Sequence, residues 1–146
     1  MPDPQTLANH PHDAMLSILA KADGDRIKAF AETLIPQLGD LEVLENRTGF
    51  VMLPMRDTAQ GTNFHVGEVL VSEARIAAGG QDGYGMRRGR DLEAAMAMAL
   101  VDLAVAQGVA HDACTAFLDQ EASAQAAADN DRLRRVEATR VDMETF

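Results

Sequence analysis

The chain has no tryptophan, one tyrosine and five phenylalanines among its 146 residues. Aromatic side chains usually dominate the packing of cores, so a core built from Ala, Leu, Val and Met lacks its usual large anchors. The length, with 47% apolar and 25% charged residues, is that of one globular domain over residues 1–146. Because the core is so poor in aromatic residues, we expect this domain to bury part of its surface against partner chains.

Cysteine is almost absent as well. Cys114 is the single thiol, which excludes an intrachain disulfide and an iron–sulfur cluster held by this chain alone. A reducing cytosol fits this composition, and we expect a cytoplasmic protein in which the thiol is a packed small side chain. No metal site is predicted, because the histidines show no ligand spacing with acidic residues or with the cysteine. These histidines are His10, His12, His65 and His111.

Positive charge is scarce, since 13 basic residues stand against 23 acidic ones and give a formal charge of −10. This balance opposes attraction to a phosphate backbone, so nucleic acid is not an expected partner. Long apolar runs are also lacking, and no segment approaches the roughly 20 residues of a membrane span. The segment MPDPQTLANHPHDAM has acids and prolines where a secretory signal has a basic start and an apolar run, so no targeting segment is predicted.

The N-terminal part of the chain is predicted to be helical. Residues 1–12 are typical of a flexible lead, and two amphipathic segments then form a helical hairpin. Asp13 and Asp25 stand at the positions of N-caps. Pro36 is expected to end the second helix, because proline removes a helical hydrogen bond.

The middle of the chain is predicted to form a small antiparallel sheet. The stretch 41–55 indicates a β-hairpin that turns at Thr48 and Gly49. The run 64–78 indicates a strand whose two faces are both mixed in polarity. The glycine-rich segment GGQDG, residues 79–83, then predicts a turn into a short returning strand, YGMRR.

Two further helices are predicted after the sheet. Asp91 caps a central helix that extends to about Gln107 and ends at Gly108, and apolar residues on both of its sides predict burial on both. Residues 111–146, with a β-leaning tail from residue 139, have too little apolar surface to fold alone, and we expect an extended arm that docks on another surface, whose identity the sequence leaves open. The expected fold is α+β, with an N-terminal helical hairpin, a small antiparallel β-sheet, a buried central helix and a long C-terminal helical arm.

The stretch GYGMRRGRDLEAAMAMALVDLA, residues 83–104, is the candidate site for chemistry. Its glycines expose backbone N–H groups, its arginines supply forked donors, and a helix N-terminus favours negative charge. The candidate ligands of a phosphate or phosphonate are Arg87, Arg88, Gly89 and Arg90. The glycine spacing fits neither the dinucleotide fingerprint nor a P-loop. In a second interpretation, which stays open here, Gly83 and Gly85 only allow a turn, Arg87 and Arg90 are solvated, and the Asp91 carboxylate fills the cap position and repels an anion.

Four residues are candidates for structural or interface roles. Asp102 lies in an apolar helix, where a buried carboxylate needs a partner, and Asp91 and Asp102 are each expected to meet an arginine. That arginine is Arg140 or one on a partner chain. Glu68, at the entry to a strand, is either a hydrogen-bonded edge residue or part of a shared site. The two aspartates lie about 16 Å apart along the helix and cannot share a proton, so no catalytic residue is identified.

Three pieces of the chain carry a family resemblance by their order and spacing: FHVGEVLVSEARI, GYGMRRGRDLEAAMAMALVDLA and RRVEATRVDMETF. The most characteristic residues are Gly67-Glu68-Val69-Leu70-Val71, Gly83-Tyr84, Gly89-Arg90-Asp91 and Ala138-Thr139-Arg140-Val141. In these features the chain resembles, over essentially its whole length, the PhnG family, the small subunit of the bacterial carbon–phosphorus lyase core complex. It differs from the family in the tail, where Met143 replaces an expected aromatic residue.

The resemblance implies a non-autonomous subunit that takes part in alkylphosphonate breakdown, assembled with PhnH, PhnI and PhnJ subunits in two copies each. It implies that ATP and a phosphonate such as methylphosphonate are the substrates of the complex. With PhnI as catalyst, adenine is displaced and α-D-ribose 1-methylphosphonate 5-triphosphate forms. The later radical step belongs to PhnJ, so no cofactor is expected on this subunit alone, and no catalytic residue is carried over to it.

Three hypotheses about the role of this chain stay open at this stage. In the first, the chain contributes phosphate-binding groups, chiefly Arg87, Arg88 and Arg90, to the transferase site. In the second, it is a scaffold that orders PhnI and never touches substrate. In the third, it is an enzyme that acts alone.

Overall fold

The structure, a computed structural model, describes residues 10–56 and 63–144. The described residues form four helices and a three-stranded antiparallel sheet. In chain order these are α1 (His12–Lys21), α2 (Gly24–Leu38), β1 (Glu42–Arg56), β2 (Asn63–Ala78), β3 (Gln81–Arg88), α3 (Leu92–Gln107) and α4 (His111–Glu144). The predicted α+β class with a long C-terminal helix is confirmed.

The ends of the first two helices differ from the prediction. Pro11, not Asp13, is the N-cap of α1, so this helix begins inside the segment that the sequence assigns to the lead. Asp23, not Asp25, caps α2, because its carboxylate accepts a hydrogen bond from the Arg26 N–H at 3.0 Å. Pro36 does not end α2, which continues to Leu38. The proline lies in the last turn, so its missing N–H removes one hydrogen bond only two residues before the helix ends.

The strand β1 is one continuous element, and the predicted turn at Thr48 and Gly49 is wrong. These two residues pair with Ser72 and Val71 of β2 in the middle of a long antiparallel ladder. The sheet has the order β1-β2-β3. A glycine inside a strand pattern marks a turn only when the flanking segments pair with each other, and here both pair with β2, a partner that lies further along the chain.

The turn between β2 and β3 is shorter than the glycine-rich segment suggests. Gly79 and Gly80 form it, with φ of +56° and +80°, and β3 begins at the next residue. Positive φ favours glycine at both positions. The remaining residues of the predicted turn therefore lie in the strand, where Gly83 pairs with Ile76.

The core is built around α3. The Asp91 carboxylate accepts a hydrogen bond from the Ala94 N–H at 3.0 Å, and the helix ends at Gly108 with φ of +71°, as predicted. Residues 94–106 are all buried except Met96, which is partly buried. One side of α3 packs on β3 and β2, and another packs on α2. Burial on two sides is thus confirmed, and the small side chains of this helix allow it.

The helix α4 has a packed part and a projecting part. Cys114, Phe117, Leu118 and Glu121 are buried in the first part, which lies against α1 and α3. From Ala126 to Thr139 every side chain is exposed. The helix continues to Glu144, so the β-leaning tail is wrong for residues 139–144, and residues 145–146 lie outside the described part. The projecting part, residues 126–144, is roughly 28 Å long.

Candidate functional site

Two glycines of β3 lie directly beneath α3. A Cβ atom at Gly85 would overlap the backbone carbonyl of Ala95, and one at Gly83 would overlap that of Ala99. These glycines therefore let the helix backbone approach the strand closely. They neither form the turn that the second interpretation gave them nor expose their N–H groups as a cradle for a ligand.

The buried carboxylate of Asp102 joins α3 to the outer edge of β3 and to α1. One of its oxygens accepts a hydrogen bond from the Tyr84 N–H at 2.9 Å, and the other accepts one from Nε2 of His12 at 2.7 Å. The expected arginine partner is wrong. His12 lies 90 positions away in the chain and was assigned to the lead, so no local signal pairs the two residues. The arrangement satisfies a strand-edge donor and fixes the first turn of α1.

The second aspartate also lacks the expected arginine. Oδ2 of Asp91 lies 2.8 Å from Nζ of Lys28, which belongs to α2. The hydrogen bond from Lys28, followed by that from the Ala94 N–H, lowers the pKa of Asp91 below its ordinary value. The carboxylate thus caps α3 and at the same time joins that helix to α2.

The guanidinium of Arg87 lies at the C-terminal end of α1. Its Nη1 donates to the carbonyl of Leu19, and its Nη2 donates to that of Ala22 at 2.6 Å. Half-burial of this group lowers the pKa of Arg87 below its ordinary value. The contacts satisfy carbonyls that a helix end leaves without partners. They also fix the position of the guanidinium and occupy two of its donors.

A cationic groove of about 750 Å³ lies between the end of α1 and β3. Its charged lining is Lys21, Arg87 and Arg88, and its apolar lining is Ala20, Val71 and Met86. Among the described residues that line it, none is acidic, although the chain carries a net charge of −10. An ammonium beside two guanidinium groups is a suitable donor set for an oxyanion. Lys21 was not predicted, because only the tertiary packing of α1 brings it next to β3.

The other two predicted anion ligands lie outside the lining of this groove. Gly89 has φ of +95° and joins β3 to α3; its N–H donates to the Leu70 carbonyl at 2.9 Å, and its carbonyl accepts from Oγ of Ser72 at 2.7 Å. Arg90 is exposed in the following bend. The structure thus brings Arg87 and Arg88 together with Lys21, whereas the backbone of Gly89 bonds within the fold. Anion binding by these residues stays a prediction.

The opposite face of the sheet carries a second polar cluster. The Tyr84 hydroxyl donates to Oε2 of Glu73 at 2.9 Å, and Nη2 of Arg47 lies 3.5 Å from Oε1 of the same carboxylate. Burial, together with the neighbouring carboxylate, raises the pKa of Tyr84 to about 12. The hydrogen bond from the tyrosine lowers the pKa of Glu73. At neutral pH the cluster is therefore a neutral phenol and an ionised carboxylate, an arrangement that joins three strands.

The remaining candidates are dispersed. Glu68 is exposed on β2, where it pairs with Met52 of β1. Arg140 lies in the projecting part of α4, and its side chain is outside the described residues. Cys114 is buried as expected, and burial raises the pKa of its thiol to about 11. In the part of the chain that the structure describes, no group of three or more His, Cys, Asp or Glu side chains is arranged to hold a metal ion.

Comparison with known proteins adds one positive finding. The family model described as phosphonate metabolism protein PhnG matches residues 11–146, nearly the whole chain. None of the curated proteins with which the chain was compared is significantly similar to it. Within the described residues, every helix is too short or too polar to cross a lipid bilayer.

Proposed function

Since the chain belongs to the PhnG family of phosphonate metabolism proteins, we propose that it is a non-autonomous subunit of a carbon–phosphorus lyase core complex. The complex contains PhnH-, PhnI- and PhnJ-type subunits, two copies of each. It converts ATP and methylphosphonate into α-D-ribose 1-methylphosphonate 5-triphosphate with release of adenine. The match over residues 11–146 is the observation that carries this proposal.

The surface of the chain supports a role in an assembly. Large apolar side chains are exposed in three places, on α2, on β1 and on the projecting part of α4. They are Ile35, Val43, Leu44, Phe50, Val51, Met52, Leu133 and Val136. Contiguous exposed apolar surface usually marks an interaction site. The projecting part of α4 packs on no other described element, and since most helical stability in proteins comes from tertiary packing, a contact with another chain would stabilise it.

Within the complex, the cationic groove at Lys21, Arg87 and Arg88 binds phosphate or phosphonate oxygens. In the reaction the N-glycosidic bond of ATP breaks, adenine leaves with the bonding electrons and takes up a proton, and a phosphonate oxygen bonds to the ribose carbon. A phosphonate and a triphosphate repel each other, so fixed cations favour their approach. Arg87 is held by the carbonyls of α1, while Lys21 and Arg88 present exposed donors.

The test is turnover by the co-expressed complex, measured as adenine release from ATP in the presence of methylphosphonate. The double variant Lys21→Gln with Arg88→Gln removes two groove cations without touching the contacts of Arg87. Assembly is expected to be unchanged and turnover to fall by about 100-fold, the scale of lost charge-assisted contacts. Arg75→Gln removes an exposed arginine that is neither in the groove lining nor among the predicted anion ligands, and it serves as the matched control, with turnover within about twofold of the parent.

A second candidate function is that of a pure scaffold with no contact to substrate. The bonds from Arg87 to two backbone carbonyls favour it, because they give this arginine a structural role. If the groove double variant assembles and turns over like the parent, the scaffold function stands and the ligand role fails. If the purified chain alone consumes phosphonate with ATP, both subunit proposals fail and the chain is an enzyme in its own right.

A further inference from the structure

The two outer edges of the sheet differ in how their backbone groups are covered. At the edge formed by β3, the Tyr84 N–H bonds to Asp102, and α1 packs against the strand. At the edge formed by β1, the strand pairs with β2 alone, and among the described residues no strand or helix bonds to its other side. One edge is therefore covered by the fold, and the other presents a row of backbone donors and acceptors.

The exposed edge is long and regular. Register shifts occur only near its two ends, between Val43 and Glu45 and between Leu53 and Pro54. Between them, residues 45–53 form an uninterrupted ladder with β2, a length of about 30 Å. Proteins that keep such an edge unpaired usually shorten it, bulge it, or place proline or charged side chains on it. The segment 45–53 contains neither proline nor lysine, and its two charged residues, Glu45 and Arg47, lie near one end, whereas residues 48–53 carry no charge.

The side chains of this segment fit a pairing strand better than a solvated one. Phe50 is 65% exposed and Met52 is 52% exposed on the face of the sheet that carries the helices, and Val51 is exposed on the opposite face. Beside Asn46, a groove of about 390 Å³ opens between β1, α2 and α3, with an apolar floor that includes Ile35 and Met96. A strand paired with β1 would cover Phe50 and Met52 on one face and Val51 on the other. One of its large apolar side chains would fit into this groove.

We infer that residues 45–53 of β1 receive an extended segment of another subunit, which adds a fourth strand to the sheet. The inference rests on the proposed function, because it names the surface through which the chain joins its complex. Backbone hydrogen bonds would supply affinity, and the side chains of the incoming strand that meet Phe50, Met52 and Val51 would supply specificity. The partner strand is thus apolar where it meets Phe50 and Met52 and polar or charged where it meets Glu45 and Arg47, and it belongs to a subunit less acidic than this one.

The charge of the chain decides between a different subunit and a second copy. With a formal charge of −10, two copies repel each other over the range at which they meet. A less acidic subunit avoids this repulsion and still offers the same backbone pairing. Pairing of β1 with β1 of a second copy is therefore the disfavoured outcome, and the experiment includes it.

Backbone amide exchange is the first measurement, because pairing along an edge protects amides and a contact between side chains alone does not. In the isolated chain, alternate amides of residues 45–53 point away from β2 and are expected to exchange fast. In the co-expressed complex, these amides are expected to exchange at least about 100-fold more slowly. If the complex assembles and their exchange is unchanged, the inference is wrong while the proposed function stands.

The second measurement is the yield of complex formed by variants. Phe50→Lys with Met52→Lys places two charges on the edge strand and is expected to lower the recovered complex about tenfold. Ala29→Lys with Ala116→Lys adds the same charge at two exposed positions away from β1 and is expected to leave the yield unchanged. Equal yields from the two double variants would overturn the inference.

Two further outcomes separate the alternatives. If the isolated parent chain dimerises and the Phe50→Lys, Met52→Lys variant does not, the edge takes a second copy and the assignment to a different subunit is wrong. If the parent chain fails to co-purify with any of the three other subunits, the proposed function fails first, and the inference falls with it.

Discussion

Glycines in two regions of the same sheet have opposite surroundings. At Gly83 and Gly85 the sheet lies so close to α3 that no Cβ fits, whereas at Gly49, in the middle of β1, a Cβ would meet no atom within 4 Å. The first region is packed as tightly as a backbone permits. The second presents its surface to solvent, and exposed apolar residues follow at Phe50 and Met52. Among the described residues, a tightly packed core thus stands beside a strand with exposed apolar side chains, and this difference supports the proposed role in an assembly.

The largest expected effect is that of a methyl group placed in the tight region. Gly85→Ala forces the α3 backbone away from β3, because the obstacle is the Ala95 carbonyl and not a flexible side chain. We expect a loss of about 3 kcal/mol or more in the free energy of unfolding, measured by urea denaturation of the isolated chain. Gly49→Ala is the matched control and is expected to change this free energy by less than about 1 kcal/mol. Equal losses from the two substitutions would contradict the difference between the two regions.

A smaller loss is expected from the carboxylate that covers the β3 edge. Asp102→Ala leaves the Tyr84 N–H without its partner and releases His12, so the free energy of unfolding should fall by about 1–3 kcal/mol. Asp82→Ala, an exposed acid on the same strand, is expected to stay within about 0.5 kcal/mol of the parent. Equal stability of the two variants would show that Asp102 does not stabilise the β3 edge. It would then contradict the difference between the covered β3 edge and the β1 edge.

The packed region also predicts a loss of stability at alkaline pH. The pKa of Cys114 is about 11 and that of Tyr84 about 12 in the folded chain, above the ordinary values of 9.0 and 10.0. The unfolded chain therefore loses these protons first, and the free energy of unfolding decreases as pH rises from 9 towards 12. Denaturation followed across this range checks the decrease. In Cys114→Ala the decrease in the free energy of unfolding between pH 9 and 11 should be smaller than in the parent. The same dependence on pH in both chains would show that the thiol does not contribute.

The smallest effect is expected on the projecting part of α4. Arg135 and Asp131 form an exposed pair one helical turn apart, with Nη2 and Oδ2 at 2.9 Å. Arg135→Ala should lower the free energy of unfolding by less than about 0.5 kcal/mol. The packed part of the helix gives the contrast, because Arg26→Met leaves Glu121, which is 1% exposed, buried without its counter-charge. Thermal denaturation should rank Arg26→Met as clearly the more destabilising change, and the reverse order would refute the division of α4 into two parts.

The features that the sequence predicted well depend on neighbouring residues. Asp91 and Gly108 mark the two ends of α3 because capping by a carboxylate and a left-handed glycine are local chemistry. Apolar residues on both sides of this helix likewise predicted its burial between two layers. The prediction that Cys114 is a packed small side chain is confirmed by its burial. The likeness to the PhnG family, read from short motifs, was borne out by the match over residues 11–146.

The features that the sequence missed depend on distant segments. Thr48 and Gly49 were placed in a turn because the pattern around them does not show that β2 offers a longer partner. His12 was placed in the lead because nothing near it indicates a bond to Asp102. Lys21 was not a candidate ligand, since the groove that it lines exists only where α1 ends against β3.

The amino-acid sequence by itself therefore determined the α+β class, the ends and burial of α3, and membership of the phosphonate metabolism family. These depend on period, capping and local motif. Only the tertiary structure decided which cations share a groove, why Gly83 and Gly85 are glycines, and which edge of the sheet is left to pair. Each of these depends on how whole elements pack against one another, whether they are neighbours in the chain or distant, because packing and not spacing along the sequence sets which atoms meet.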